Sequence, residues 1–497
     1  MRGVGRGALE LLCVVGVPLV VLGLVRAFFG VSISAYRPLI NDEVAYWHQA
    51  LTFSHVGFNG GFYTVDEITN TSGLTPFGPH GPGFAVLYGS FGSVFGWYRH
   101  TAVILNLAAI GCAAWVWVTL GRLRAPRLVL SGLLLVTFAH VLFWAPTGMQ
   151  ESLHHSGAIV MASCFASVLG GPPRRSISVL GWIVVGALSF IRPSWLILVP
   201  LWAFATTRHA RWPLRTAAIV GSLLYGAAIL IAYGSTTAPY GTGFFFLRAA
   251  SLSLGVQAIV SNVSSNLERL AMSDQFHPIE LLQRYQYLAL LIATGVAAAN
   301  ARTRWGQTRG LTPSHFLTSA TAMAAALAAM LLLYQFTNYA EHRVLSAFLL
   351  FGALVCVAAP GRIGPLLVIG IVLSNVARAP TSLDAIEDAW SGHFDWDRRG
   401  LFELEQAIDG TLVYQPGASR WCNTLLTSQY PPHLIAVPAG IGLSVLQKPE
   451  LMNLPPRSRY ILLDEPLRTV LAGRLNLDPV ATLPYGTLYV NRDAKCE

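Results

Sequence analysis

Long apolar runs alternate with short polar ones along most of this chain. Runs of about membrane length can be placed at 8–29, 101–120, 127–146, 152–170, 177–191, 193–207, 214–233, 285–301, 312–334, 343–359 and 363–378, which predicts eleven transmembrane helices. The pair at 177–191 and 193–207 is short and reads as tilted or partly re-entrant. The segment FAVLYGSFGSVFGW, 84–97, is too short and too glycine-rich to span, and is expected as a helix lying along or dipping into the membrane surface. The first run follows a basic start, MRGVGRG, and at 8–29 it is long enough to be an uncleaved first helix rather than a signal peptide. Two longer polar loops, 30–100 and 234–284, interrupt the apolar pattern, and no internal repeat is visible. After residue 378 the pattern changes. Short β-like runs, GTLVYQ, HLIAVPA, RYILLDE and GTLYV, stand between helical patches, which predicts a small soluble α/β domain over 379–497 behind a membrane domain over 1–378.

Composition supports a chain that lives mostly in lipid. Of its 497 residues 54% are hydrophobic and only 11% charged, where a soluble globular chain carries about 25%. The net charge of +9 is almost all arginine, since Lys448 and Lys495 are the only lysines. With residue 1 placed in the cytoplasm, the cytoplasmic loops hold Arg2 and Arg6; Arg122, Arg124 and Arg127; Arg174 and Arg175; Arg208, Arg211 and Arg215; Arg302, Arg304 and Arg309; and Arg362. Those fourteen arginines have no Asp or Glu among them, and this asymmetry sets the orientation. The two long loops and the tail then face outward, in a bacterial inner membrane. Arginines dispersed in this way mark topology, so nucleic acid is not an expected partner. Cys13, Cys112, Cys164 and Cys356 lie in apolar runs, while Cys422 and Cys496 are the only cysteines of the tail and could pair in an oxidising compartment.

The scarce carboxylates gather on the outward side, together with a few cations. PLINDEVAYW carries Asp42 and Glu43 side by side, and TPFGPHGPGF holds His80 in a turn that glycine and proline keep out of any regular helix. Arg99 opens the run at 101–120, Glu151 stands where WAPTGMQESLHH turns back into the bilayer, and Arg192 caps the hairpin ALSFIRPSWLIL. Glu341 and Arg343 stand together in NYAEHRVLSAF. Singly, each reads as a solvated or snorkelling group. Collected at one interface opposite a purely basic one, they suggest a site that binds an anion and moves a proton.

In this order the residues resemble the GT-C glycosyltransferases, polytopic enzymes that use polyprenyl-phosphate sugars, such as bacterial aminoarabinose transferases and protein O-mannosyltransferases. PLINDEVAYW and NYAEHRVLSAFLL carry the likeness best, over most of 1–378, whereas GPHGPGF departs from the usual His-Pro-Pro by having glycine at 81. The resemblance implies a transferase moving a sugar from a polyprenyl-phosphate donor to an extracytoplasmic acceptor, which could be an envelope glycan, a lipid or a protein. It implies Asp42 as base, with Glu43 or Glu151 orienting acceptor or sugar. Arg99, Arg192 and Arg343 would hold phosphate, since a guanidinium offers a fork of donors, and His80 and Glu341 would join them in binding. A departing phosphate needs no proton, so no cofactor is required outright. The alternative is a divalent ion on Glu151, His154 and His155, because Glu-x-x-His spacing places two ligands on one helix face. Two other functions fit a membrane chain, a secondary transporter and a non-catalytic scaffold for envelope assembly. A transporter would carry ionisable groups near the midplane, where these spans have almost none.

Overall fold

The structure, a computed structural model, describes residues 2–39, 41–65, 74–171, 174–238, 252–271, 278–301, 313–333, 342–396, 405–406, 408–427, 432–446, 456–464, 468–469, 471, 475–483 and 486–494. Its helices are α1 (Arg2–Phe29), α2 (Asn41–Val56), α3 (Gly83–Phe95), α4 (Thr101–Gly121), α5 (Ala125–Thr137), α6 (Ala139–Trp144), α7 (Glu151–Gly170) and α8 (Arg175–Ile191). They continue with α9 (Leu198–Thr206), α10 (Trp212–Thr236), α11 (Leu252–Ala271), α12 (Pro278–Asn300), α13 (Pro313–Leu333), α14 (His342–Ala358), α15 (Ile363–Ala377) and α16 (Ala379–Phe394). Among the described residues five helices, within α1, α4, α7, α10 and α13, are long and apolar enough to cross a membrane; a sixth span arises if α15 and α16, bent by 64°, count as one. The bend falls where Pro380, at the start of α16, cannot continue a helix. The run predicted at 127–146 is broken at Phe138, whose backbone is extended between α5 and α6. Several of the eleven predicted spans therefore exist as shorter apolar helices.

The central element is α7, buried along almost its whole length and packed against α4, α8 and α14. Small residues let neighbours approach closely; at Gly157 a Cβ would lie 2.4 Å from the Leu188 side chain. At the far ends of α7 and α14 the basic loops act structurally. Arg208 donates to the carbonyls of Leu169 and Gly171 at 3.0 and 2.9 Å, and Arg127 to those of Ala358 and Gly361 at 3.1 and 2.8 Å. The last carbonyls of a helix have no partner within it, so these arginines have a structural role beside the topological one expected of them.

The tail builds one mixed sheet from β1 (Tyr63–Val65), β2 (Thr424–Thr427), β3 (Gly442–Val445), β4 (Tyr460–Leu463), β5 (Leu477–Leu483) and β6 (Gly486–Asn491), in the order β1-β3-β2-β4-β6-β5. Strands β1 to β4 run parallel in this sheet, and β6 and β5 are added antiparallel. RYILLDE and GTLYV supply β4 and β6. HLIAVPA forms instead a 3-10 turn at Pro432–Ala436, and GTLVYQ is irregular after Gly410. The edge strand β1 comes from the loop at 30–100, with Tyr63 opposite Leu443 and Val65 opposite Val445. A Cβ at Gly442 would lie 2.0 Å from the Phe62 carbonyl oxygen, so only glycine admits this strand. Cys422 is disulfide-bonded; Cys496, its expected partner, lies outside the described residues.

Helix α2 is thereby held between the helical bundle and the sheet. His48 is fully buried there, edge-on to Tyr63, and burial pushes its pKa down to about 4 against a weaker opposing pull from the Pro438 backbone. An unfolded histidine titrates near 6.5, so the unfolded chain binds the extra proton between these values. Stability from this site is intact above about pH 6.5 and declines toward pH 4, by up to about 3 kcal/mol. His48→Phe is expected to flatten the acid side of a melting-temperature profile in detergent; a profile unchanged by the substitution would remove His48 as its origin.

Candidate active site

The first turn of α2 carries Asn41, Asp42 and Glu43, where acidic groups complement the helix N-terminus. Successive helical residues point about 100° apart, and the two carboxylates separate accordingly. Glu43 turns inward and is fully buried. It accepts from the Tyr36 hydroxyl, the Gly148 amide and, at 2.8 Å, the Leu39 amide, with His393 Nδ1 3.5 Å away. Tyr36 stacks on His393. Glu43 is thus a buried tie between α2, the turn before α7 and α16, not a group facing an acceptor as expected. Glu43→Gln leaves a buried donor without its acceptor, at a cost of about 1–3 kcal/mol, and a lowered melting temperature of the purified protein would register it; an unchanged one would contradict this role.

Asp42 points into the cluster. Its side chain is 23% exposed, with Arg343 Nη2 at 2.8 Å from Oδ2 and His80 Nε2 at 3.3 Å from Oδ1. Burial alone would raise its pKa, but His80 and Arg343 outweigh burial and hold the carboxyl well below the usual range. Glu151, at the first turn of α7, is 1% exposed, and its Oε1 takes Arg192 Nη2 at 2.8 Å and Arg343 Nε at 3.2 Å. Arg343 therefore uses two edges of its fork on two carboxylates, linking Asp42, Arg343, Glu151 and Arg192 in a row. Tyr46, one helical turn after Asp42, meets the His80 ring edge-on with centroids 5.1 Å apart. That spacing of four residues on one helix face was legible in the sequence; the Tyr36 and His393 contacts, from distant segments, were not.

The turn that presents His80 accounts for the glycine at 81. Gly81 has φ +86°, and its amide donates to the Gly78 carbonyl at 3.2 Å. A Cβ there would stand 2.3 Å from the Tyr233 ring, so a proline or any larger residue in place of Gly81 would force this turn open. Gln49 accepts from the Gly78 amide at 3.2 Å, and the Tyr233 hydroxyl donates to the Pro79 carbonyl at 3.3 Å.

Not every candidate joins the cluster. Arg99 pairs with Glu405 of the tail and lies over the Trp396 ring, 5.6 Å from its centroid, on the face of the protein where the tail docks. Arg99→Lys is accordingly expected to keep transfer activity within about twofold of wild type, as for a half-exposed ion pair; a tenfold loss would return it to the site. Glu341 lies outside the described residues. Glu151, His154 and His155 face three ways: the His154 Nδ1 accepts from Trp195 Nε1 at 2.8 Å, and His155 Nε2 meets Ser346 Oγ at 2.8 Å. Among the described residues no group of three His, Cys, Asp or Glu side chains could hold a metal ion.

Beside the cluster runs an apolar groove of about 640 Å³, formed by α3 and the end of α8 and lined by Pro82, Val86, Phe91, Phe95, Phe190 and Ile191 among others. Pro82 follows His80 by two residues and Ile191 directly precedes Arg192, so sequence neighbours of two cluster residues line the groove. Leu87, Phe91, Val94 and Phe95 leave α3 with an exposed apolar face.

This helical bundle, with a carboxylate–arginine cluster at the ends of its central helices and a small mixed sheet, is similar in fold to solved membrane transferases. The oligosaccharyltransferase of Archaeoglobus fulgidus, in its complex with zinc and sulfate, matches 96% of this chain over 73% of its own at 13% identity, with a TM-score of 0.52. ArnT from Cupriavidus metallidurans matches in the apo state at 14% identity and TM-score 0.47 over 100% of both chains. Bound to undecaprenyl phosphate, ArnT matches over 97% of this chain and 100% of its own at 13% identity and TM-score 0.41. No family model and no curated protein matches the sequence. At 13% identity the likeness to the oligosaccharyltransferase shows the fold alone.

Proposed function

We propose that this protein is a glycosyltransferase of the bacterial inner membrane that moves a sugar from a polyprenyl-phosphate donor to an extracytoplasmic acceptor. The observation that carries this reading is the row Asp42–Arg343–Glu151–Arg192, together with an apolar groove lined by Ile191, the neighbour of Arg192. The groove suits a hydrocarbon tail and the arginines suit its phosphate. Two carboxylates and two guanidiniums nearly cancel in charge, yet each guanidinium has five N–H donors, so several stay available to phosphate oxygens. Glu151 holds both arginines in place, while Asp42 is the exposed carboxylate that can reach an acceptor hydroxyl. As the sugar leaves, charge grows on the departing phosphate, and donors fixed beforehand stabilise it without reorganisation.

The test is transfer from a panel of radiolabelled undecaprenyl-phosphate pentoses and hexoses by the purified protein in nanodiscs, with an envelope extract from a strain lacking the gene as acceptor. Label should move for at least one sugar, and protein that moves none would defeat the reading. The site also requires the tail to lie outside the cytoplasm, an orientation supported by the fourteen arginines in the opposite loops. A reporter active only in the periplasm should give signal when fused after residue 497 and none when inserted within 303–308. The reverse pattern would overturn this topology.

A further inference from the structure

Asn106 is a polar residue inside a membrane-length helix, α4, and it is fully buried. An amide in such a place is costly unless both of its ends are paired, and here they are. Its Oδ1 accepts from the Tyr88 hydroxyl of α3, and its Nδ2 donates to the Thr147 carbonyl, in the turn between α6 and α7. That carbonyl and the Gly148 amide belong to one peptide unit. The amide donates to Glu43 and, at 2.8 Å, to Tyr36 Oη. A single planar group, the Thr147–Gly148 peptide, is therefore gripped from α4 on its oxygen and from the Glu43 side chain of α2 on its nitrogen. We propose that Asn106 is a positioning residue for sugar transfer, which fixes this peptide against Glu43 and so sets Glu151 in register with Asp42. This rests on the sugar-transfer reading above.

The turn is short and internally tied, so it passes a displacement on. Met149 N donates to Thr147 Oγ1 at 3.3 Å, and Ser152 Oγ donates to the Trp144 carbonyl at 3.0 Å. Glu151 follows Gly148 by three residues and holds Arg192 and Arg343 on its Oε1. On the other side, Glu43 adjoins Asp42 in the first turn of α2. The two carboxylates of the row thus share one reference point.

The grip is close. A Cβ at Gly148 would lie 3.0 Å from Glu43 Cγ and 3.0 Å from Tyr36 Oη, tighter than ordinary contact. Tyr88 is itself held beside the site, stacked on Phe84 with centroids 4.2 Å apart, while Phe84 leans on Tyr46 at 5.4 Å.

Hydrogen bonds between membrane helices also serve as packing glue, and kinetics separate the two roles. Glue alters stability, or the seating of the carrier through α3, and leaves the chemical step alone. A reacting group misplaced by about 1 Å slows that step by about 10²-fold. The experiment measures kcat and carrier KM in nanodiscs for the undecaprenyl-phosphate sugar that wild type transfers, normalised to folded protein. The variants are Asn106→Leu, Gly148→Ala and the two combined. Asn106→Leu should lower kcat by about 10²-fold, with carrier KM within about threefold of wild type. Gly148→Ala keeps the Asn106 and Glu43 side chains but crowds the peptide off Glu43, and should lower kcat by at least about tenfold. Both changes release the same peptide, so the double variant should be about as slow as the slower single, where independent effects would multiply. If Asn106→Leu yields no folded protein, Gly148→Ala decides by itself. A kcat near wild type in either single variant, a change confined to carrier KM, or losses that multiply would overturn the positioning role while leaving sugar transfer intact. Wild type that moves no sugar at all would remove the transfer reading and this role with it.

Discussion

Asp42→Asn is expected to reduce sugar transfer by about 10²–10⁴-fold, the contribution of a positioned general base. The amide is close in shape to the carboxylate and its oxygen can still accept from Arg343, so the protein should insert and fold. It cannot take a proton, however, and it removes the negative charge between Arg343 and His80. Transfer by the nanodisc-reconstituted variant, normalised to folded protein by size-exclusion chromatography, is the measurement. Activity within tenfold of wild type would take Asp42 out of the chemistry.

The second large effect is expected at Arg343. Its Nη2 reaches Asp42 and its Nε reaches Glu151, at 2.8 and 3.2 Å. A lysine ammonium is a single point and cannot reproduce that fork. Arg343→Lys should keep the charge and lower kcat by about 10²–10³-fold, as when one fixed donor to developing charge is lost. Arg343→Ala should do worse, because Glu151 is 1% exposed and would keep only Arg192. Breaking a buried ion pair on one side costs about 3–5 kcal/mol, so low yield of folded protein is the expected result for alanine. Lysine and alanine variants both near wild-type turnover would show that Arg343 neither cradles phosphate nor holds the site together.

How far the site could be read beforehand differs from residue to residue. Asp42, Glu151, Arg192 and Arg343 were visible because charges are rare in so apolar a chain and all fall at run ends on one side. Their pairing was not, since it joins positions 301, 192 and 41 residues apart in sequence. Arg99 has the same sequence signature as Arg192, an arginine at the mouth of a span. It went elsewhere because Glu405 and Trp396 come from the tail, whose docking leaves no mark in local sequence. The sheet was half legible. The runs around YILL and GTLYVN stood out, whereas TLLT and GLSV, no shorter than YILL, were not singled out and become strands because partners flank them.

The sequence by itself determined that this is a membrane chain, because burying so many apolar residues needs lipid, and that its two faces differ, because arginines and carboxylates segregate along it. It also determined that a tight turn presents His80, since glycine and proline exclude helix there. Only the tertiary structure decided what Asp42 and Glu43 each do. Adjacent residues on a helix point about 100° apart, and which of the two directions leads to a cavity depends on what packs on either side. Here Tyr36, Gly148 and His393 close over Glu43 and make it part of the scaffold, while Asp42 meets Arg343 and His80 and keeps 23% of its side chain exposed.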